Sequence, residues 1–185
     1  YQGKKVNLVR AEEPGKIPHE IRSGELATLG EIPHRLYYGT VDATPLYLVL
    51  LSEYYRWTGD EGLVRELAPN ALAALDWMEK YGDVDGDGYV EYLQKIGKGL
   101  ANQGWKDSGD SVRFADGTLA LPPIAMCEVQ GYVYDAKLRM AELMPILGQP
   151  ERAEELIKEA ETLKKRFNED FWMDKEGFFA EALDR

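Results

Sequence analysis

Thiols and imidazoles are nearly missing from this 185-residue chain, which has one cysteine, Cys127, and two histidines, His19 and His34. One cysteine rules out a disulfide framework within the chain, and so few soft ligands argue against a transition-metal site. No metal and no cofactor are expected. Cys127, set among Ala125, Met126 and Val129, reads as a buried structural thiol. A reducing cytoplasm is the expected location. No run approaches the roughly 18 apolar residues of a membrane span. Positive charge is scarce as well: 22 Lys and Arg stand against 33 Asp and Glu, a formal net charge of −11. Nucleic acid and anionic membranes need clustered basic residues, so neither is an expected partner. A neutral substrate is compatible with this balance, and so is acidity that serves solubility alone. No phosphate-binding G-x-x-x-x-G-K-[ST], no G-x-G-x-x-G opening a helix and no G-x-S-x-G elbow occurs, so nucleotide chemistry and serine hydrolysis have no support.

What the chain does have is a globular balance of 44% apolar and 30% charged residues, with 18 glycines, 11 tyrosines and 4 tryptophans. Residues 1–41 are punctuated by Pro and Gly and read as a long irregular segment with one short helix near 24–29. Thr44-Pro45 then offers an N-cap and a first-turn proline. The helix that follows runs to about Trp57 and is apolar nearly all round, which predicts burial. An amphipathic stretch spans about 61–81, with a restart at Pro69. Residues 82–121 form a second long loop with a hairpin at Tyr89–Tyr92. A second apolar helix covers about 123–147, a charged amphipathic one 151–167, and a hairpin 173–181 turns at Lys175-Glu176-Gly177. The pattern is all-α: two αα-hairpins, 44–81 and 123–167, each pairing a buried helix with an outer one. Both tight turns lie at the ends of buried helices, so both long loops, with their small β-hairpins, gather on the other side, where sites are built.

The loop at 102–111, Asn-Gln-Gly-Trp-Lys-Asp-Ser-Gly-Asp-Ser, has neither helical nor strand period. An indole face stacks on a pyranose, and a carboxylic acid beside it can protonate a glycosidic oxygen. Trp105 and Asp107 are therefore candidates for sugar stacking and proton donation, with Asp110 as the second acid. The alternative is a polar surface loop anchored by a half-buried Trp. Asp83-Val84-Asp85-Gly86-Asp87-Gly88 resembles the start of a calcium loop, but Gln94 stands where the bidentate glutamate belongs, so a structural Asp-Gly turn is favoured over a calcium site.

Gly24-Glu25-Leu26-Ala27, Tyr37 to Pro45, the Asp-rich turn, Gly104-Trp105-Lys106-Asp107-Ser108 and Cys127 to Tyr132 together resemble the glucosidase domain of glycogen-debranching enzymes (amylo-α-1,6-glucosidase). More broadly they resemble the (α/α)6-toroid glycosidases, which include trehalases and glucoamylases. The resemblance implies that residues 1–185 are a segment of one six-hairpin toroid, with its sugar pocket on the loop side of the inner helices. It implies an inverting hydrolase acting on α-1,6-glucosidic branch points of glycogen-like glucans, with Asp107 as general acid and a base lying beyond Arg185. The Lys106 head is expected to turn away from the acid. Tyr38, Asp42, Trp105, Lys106, Glu128 and Gln130 are the expected substrate-binding set. For Asp42 the competing reading is helix capping; for Glu128 it is a core carboxylate or the base. Tyr37 is a further stacking candidate, and His34 either touches substrate or holds its own loop. The chain opens at Tyr1 without Met and stops in mid-pattern, so a piece of a longer protein is expected, associating with the remainder of the toroid or with itself. Two other readings keep the fold: a catalytically silent carbohydrate-binding or structural module, and a trehalase-like or oligosaccharide glucosidase.

Overall fold

A computed structural model describes residues 1–32, 35–97 and 99–184. The sequence expectation for His34 lies outside the described residues. Among the described residues six α-helices carry the fold: α1 (Glu25–Leu29), α2 (Ala43–Thr58), α3 (Glu61–Glu66), α4 (Ala68–Trp77), α5 (Cys127–Leu143) and α6 (Arg152–Asp170). A π-helical turn, Met78–Gly82, continues α4. The only strands among the described residues are two-residue pairs. β1 (Ala125–Met126) lies antiparallel to β4 (Ala182–Leu183), and β2 (Trp172–Met173) to β3 (Phe178–Phe179). The chain is all-α, as the periodicity indicates.

Helices α2 and α5 pack on each other at the centre, α6 lies along α5, and α3 and α4 lie against α2. The two central helices run in the same direction. Asp42 and Met126, at their starts, both flank Gly104. Further along, Arg139 of α5 pairs with Glu53 of α2, and Arg56 donates to Glu142 at 2.8 Å. The core between them is Leu48 and Leu51 against Val129, Val133, Ala136 and Met140. α2 stops at Gly59, whose φ of 65° is the left-handed conformation that closes a helix and favours glycine. Asp60 then caps α3 by accepting from Gly62 and Leu63 N–H.

Several local expectations need correction. α2 is not buried all round: Leu46, Leu50 and Trp57 form an exposed stripe, because its packed face is already filled by α5 and α4. Thr44 is not its cap. The helix begins one residue earlier, and the Thr44 hydroxyl accepts from Ile17 N–H at 3.0 Å, fastening the N-terminal segment instead. α4 restarts at Ala68, so Pro69 falls inside its first turn, where its missing N–H costs nothing. α5 begins at Cys127, four residues later than the Pro pair suggests. Ile124 exchanges backbone hydrogen bonds with Tyr92 (3.1 and 3.2 Å), and Ala125–Met126 pair with the chain's last strand, which keeps this stretch extended. Tyr89–Tyr92 is therefore no hairpin. It is an extended segment held by Ile124 and by the Gln130 side chain. The hairpin at 173–181 forms as expected, with Trp172 opposite Phe179.

The irregular N-terminal segment is bound down by side chains. Gln2 and Asn70 exchange hydrogen bonds at 2.8 Å, and the Trp77 indole donates to Glu13 at 2.9 Å. It meets the second long loop where Val41 N–H donates to Gln103 O at 2.9 Å and Leu100 N–H to the Tyr37 hydroxyl at 3.0 Å. Both loops thus lie over the starts of α2 and α5.

In the acidic turn, oxygens of Asp83, Asp85, Asp87 and Glu91 lie within 4.8 Å of one another. The carboxylates serve the backbone. Asp83 accepts from Gly86 and Gly88, Asp87 from Tyr89, and Glu91 from Val84 and Asp85. Burial and the nearby Asp85 charge push the Glu91 carboxyl up to about 7, against the pull of those two N–H donors. A carboxyl raised in the fold binds its proton more tightly than in the unfolded chain. Its contribution is therefore complete below the ordinary value and lost as pH rises towards 7. Glu91→Gln should gain stability relative to the parent, by on the order of 2 kcal/mol between pH 4.5 and 8, in denaturant titrations at both pH values. Parallel pH profiles for the two proteins would contradict this assignment.

Candidate active site

The site lies where the tryptophan loop crosses the first turns of α2 and α5. That loop has no secondary structure, and one buried side chain organises it. Asn102 accepts from the Tyr92 hydroxyl at 2.8 Å and donates to Ser108 O at 2.5 Å and to Ser111 Oγ at 2.9 Å. Ser111 in turn donates to Lys106 O at 2.8 Å. Gly104 lets the loop lie flat on the helices: a Cβ there would stand 2.6 Å from Met126 Sδ and 3.9 Å from Asp42 Oδ2.

The residues held there differ in their surroundings. Trp105 is 65% exposed and presents its indole to solvent. Asp107 is exposed, and among the described residues it makes no hydrogen bond or ion pair. Lys106 does turn away from the acid, towards two carboxylates. Its Nζ lies 3.0 Å from Glu181 Oε1 and 3.2 Å from Glu128 Oε1, and 5.1 Å from the centre of the Trp105 ring. Burial pulls the Lys106 ammonium down, but the two carboxylates outweigh it and the group stands above its ordinary range. Burial likewise pushes Glu128 up. Its own backbone N–H, the Cys127 thiol at 3.3 Å and Lys106 outweigh that and hold it below the usual carboxylate range. Cys127 is pushed up to about 11 by burial and by the Glu128 charge. The Tyr132 hydroxyl is raised by burial and then by Glu128 and Asp42, so both carboxylates bear on the same spot.

Of the residues singled out in the sequence, Asp42, Trp105, Lys106 and Glu128 come together around Gly104 and the start of α5, and Asp107 follows Lys106 on the same loop. Asp42 does not cap α2: its Oδ1 accepts from the Thr40 hydroxyl, and it makes no side-chain cap bond. Two others are placed elsewhere. Tyr38 is 1% exposed and its hydroxyl donates to Tyr1 O at 2.6 Å, so its ring is packing and offers no stacking face. Gln130 is also buried. Its amide accepts from Val90 N–H at 3.0 Å and donates to Val90 O at 2.7 Å and Met126 O at 3.2 Å, leaving nothing for a sugar. Tyr37 is equally enclosed. The second acid candidate, Asp110, is tied to Arg113 at 2.7 Å. Sequence reasoning missed Asn102, whose role depends on partners before and after it. It also missed Glu181, which carries no local motif and reaches the site only through the β1–β4 pairing. Glu181 further lines a mostly apolar cleft of about 440 Å³ with Phe114, Met173 and Phe178.

A family model for the mannosylglycerate hydrolase MGH1-like glycoside hydrolase domain matches residues 8–184. No curated protein matches the chain. The family match accounts for the glycosidase character and the (α/α)6-toroid class; it does not single out the debranching enzymes.

The close approach at Gly104 gives a direct test of the loop's seat. Met126 is fully buried, and a close-packed interior leaves its thioether little room to yield. Gly104→Ala should therefore cost about 1–3 kcal/mol in denaturant unfolding. Gly109→Ala, in the same loop with nothing within 4 Å, should stay within about 0.5 kcal/mol of the parent. Equal effects of the two substitutions would show that the loop does not rest on Met126.

Proposed function

Because the chain belongs to the MGH1-like glycoside hydrolase family, we propose that Asp107 is the general acid of an inverting glycosidase whose substrate is an α-1,6-glucosidic branch stub on a glycogen-like glucan. The observation that carries the acid role is the division of labour on the tryptophan loop. A general acid must keep its proton until the leaving oxygen takes it, and an adjacent cation works against that. Lys106, the cation beside Asp107 in sequence, is committed to Glu128 and Glu181. Asp107 stands clear of it beside an exposed indole that offers a stacking face for the sugar. Glu128 is held ionised by its neighbours and so cannot be the proton donor. The base that activates water is assigned to residues beyond Arg185, roughly 6.5–9.5 Å from the acid across the sugar. Asp42, at the start of α2, would accept from hydroxyls of the terminal glucose.

Electrostatics favour a neutral sugar. Asp42, Asp107, Glu128 and Glu181 all lie on or beside the tryptophan loop and the start of α5, and the Lys106 ammonium is already shared by two of these carboxylates. The family is described by a mannosylglycerate hydrolase, whose aglycone is an anion. That anion would meet like charge here, and it is too small to use the cleft beyond Glu181, which a continuing glucan would enter. The half-buried thiol Cys127 is compatible with the cytoplasmic location proposed for such an enzyme.

The test is hydrolysis by the intact protein of a phosphorylase limit dextrin, trehalose and mannosylglycerate, with Asp107→Asn beside the parent. The limit dextrin should be cleaved to β-glucose first, and the substitution should lower kcat by about 10²–10⁴-fold. Undiminished activity in Asp107→Asn would remove this residue as the acid. Preference for mannosylglycerate or trehalose would overturn the substrate while leaving the acid in place.

A further inference from the structure

Lys106 lies between the stacking indole and the acid, and its side chain runs inward, only 23% exposed, to two carboxylates. These two are presented as a unit. Glu128 stands in the first turn of α5, and Glu181 immediately precedes β4. The two segments are joined by main-chain bonds: Cys127 N–H donates to Glu181 O at 2.9 Å, and Ala125–Met126 pair with Ala182–Leu183. On the Glu128 side the ion pair is the sole compensation for one oxygen. Its Oε1 is buried and accepts no hydrogen bond among the described residues, with the Lys106 ammonium 3.2 Å away. Glu181 Oε1 closes the seat at 3.0 Å. Elsewhere the loop backbone is fastened on both sides of Asp107, by Asn102 donating to Ser108 O and by Ser111 donating to Lys106 O.

We propose that Lys106 is a positioning residue and that Glu128 and Glu181 form its seat. The ammonium locks the tryptophan loop onto the start of α5 and thereby fixes where Asp107 stands. This replaces the expectation that Lys106 binds substrate, and it rests on the reading of Asp107 as the acid. Glu181 enters as the member of the site that ties the end of the described chain to the acid loop. A group that aims a catalytic carboxyl acts on the chemical step: misplacement by about 1 Å costs up to about 10²-fold in rate. A sugar ligand would act on binding.

The experiment uses the intact protein with Lys106→Met, Lys106→Arg, Glu181→Gln and the double variant Lys106→Met/Glu128→Gln. The double variant removes the lone buried carboxylate that the single Met substitution leaves behind and so separates loss of the seat from loss of folding. Two readouts are taken. The first is kcat and KM on the limit dextrin. Lys106→Met and the double variant should lose about 10- to 100-fold in kcat with KM within about twofold, Glu181→Gln should lose less, and Lys106→Arg should recover most of the rate. The second needs no activity: the rate at which an aspartate-directed endoprotease cuts the 106–107 bond. That rate should rise about tenfold in Lys106→Met, the effect of about 1.4 kcal/mol less fastening, and stay near the parent in Lys106→Arg. A rise in KM at constant kcat would make Lys106 a sugar ligand and overturn the proposal, as would an unchanged cutting rate. If the cutting rate rises while Asp107→Asn keeps full activity, the seat stands and the acid assignment alone has failed.

Discussion

The same-direction packing of α2 on α5 is the constraint from which the rest of the site follows. Each of these helices ends in a short turn, and the outer helix that follows carries the chain back, as the Lys137–Glu159 and Tyr134–Lys164 contacts show for α5 and α6, so the long loops lie at the starting end. Two helix starts are thereby placed side by side under two long loops. A helix start presents unpaired N–H groups and the positive end of its dipole, and both favour a carboxylate. Asp42 and Glu128 occupy these positions, and the Glu128 backbone N–H is among the groups that hold its carboxylate ionised. The pairing of acids at the two helix starts is thus a consequence of packing and not only of composition.

Charge at the mouth is then settled by which effect wins at each group. Burial opposes ionisation of both Glu128 and Lys106, and each would drift towards neutrality alone. At Lys106 the two carboxylates reverse it; at Glu128 its own backbone N–H and the Cys127 thiol do so first, with the ammonium adding to them. The result divides one short loop into two electrostatic neighbourhoods. Lys106 is spent inward, and Asp107, the next residue, is left facing outward with the indole. Where two adjacent residues of opposite charge could have neutralised each other, the fold keeps them apart.

The long periodic elements were legible in the sequence, and so was the irregular character of the tryptophan loop. α2 stands within a residue of its expected limits, and α6, the turn at Gly59 and the hairpin after α6 were all read correctly. Glycine, proline and a 3.6-residue apolar period carry local information. The start of α5 was not legible. Pro122-Pro123 looks like a helix opening, but the segment behind it is claimed by Tyr92 and by a strand remote in sequence. Tyr38 and Gln130 failed for a related reason. Tyr and Gln suit both a sugar pocket and a wet core, and only their partners, Tyr1 O and the Val90 backbone, decide between the two. Glu181 was invisible because its importance lies wholly in what it pairs with. Asp107 could be singled out because a Trp and an acid crowded into a glycine-rich loop have little use in a core.

A loop without helix or strand can still hold a carboxyl in place, and Asn102 shows how. One side chain, 7% exposed, joins the Tyr92 hydroxyl, the Ser108 carbonyl and the Ser111 hydroxyl, doing from inside what a ladder of backbone bonds does elsewhere. Its anchor, Tyr92, is itself bonded through the backbone to Ile124 just ahead of α5. The loop is therefore fixed to the same short stretch of chain from two directions, through Asn102 beneath and through Lys106 above. Such a scaffold keeps the carboxyl preorganised, as the proposed acid role requires, because the cost of ordering it is met in folding. It also leaves the indole and the carboxyl among the loop's exposed groups, apart from the side chains that do the fastening.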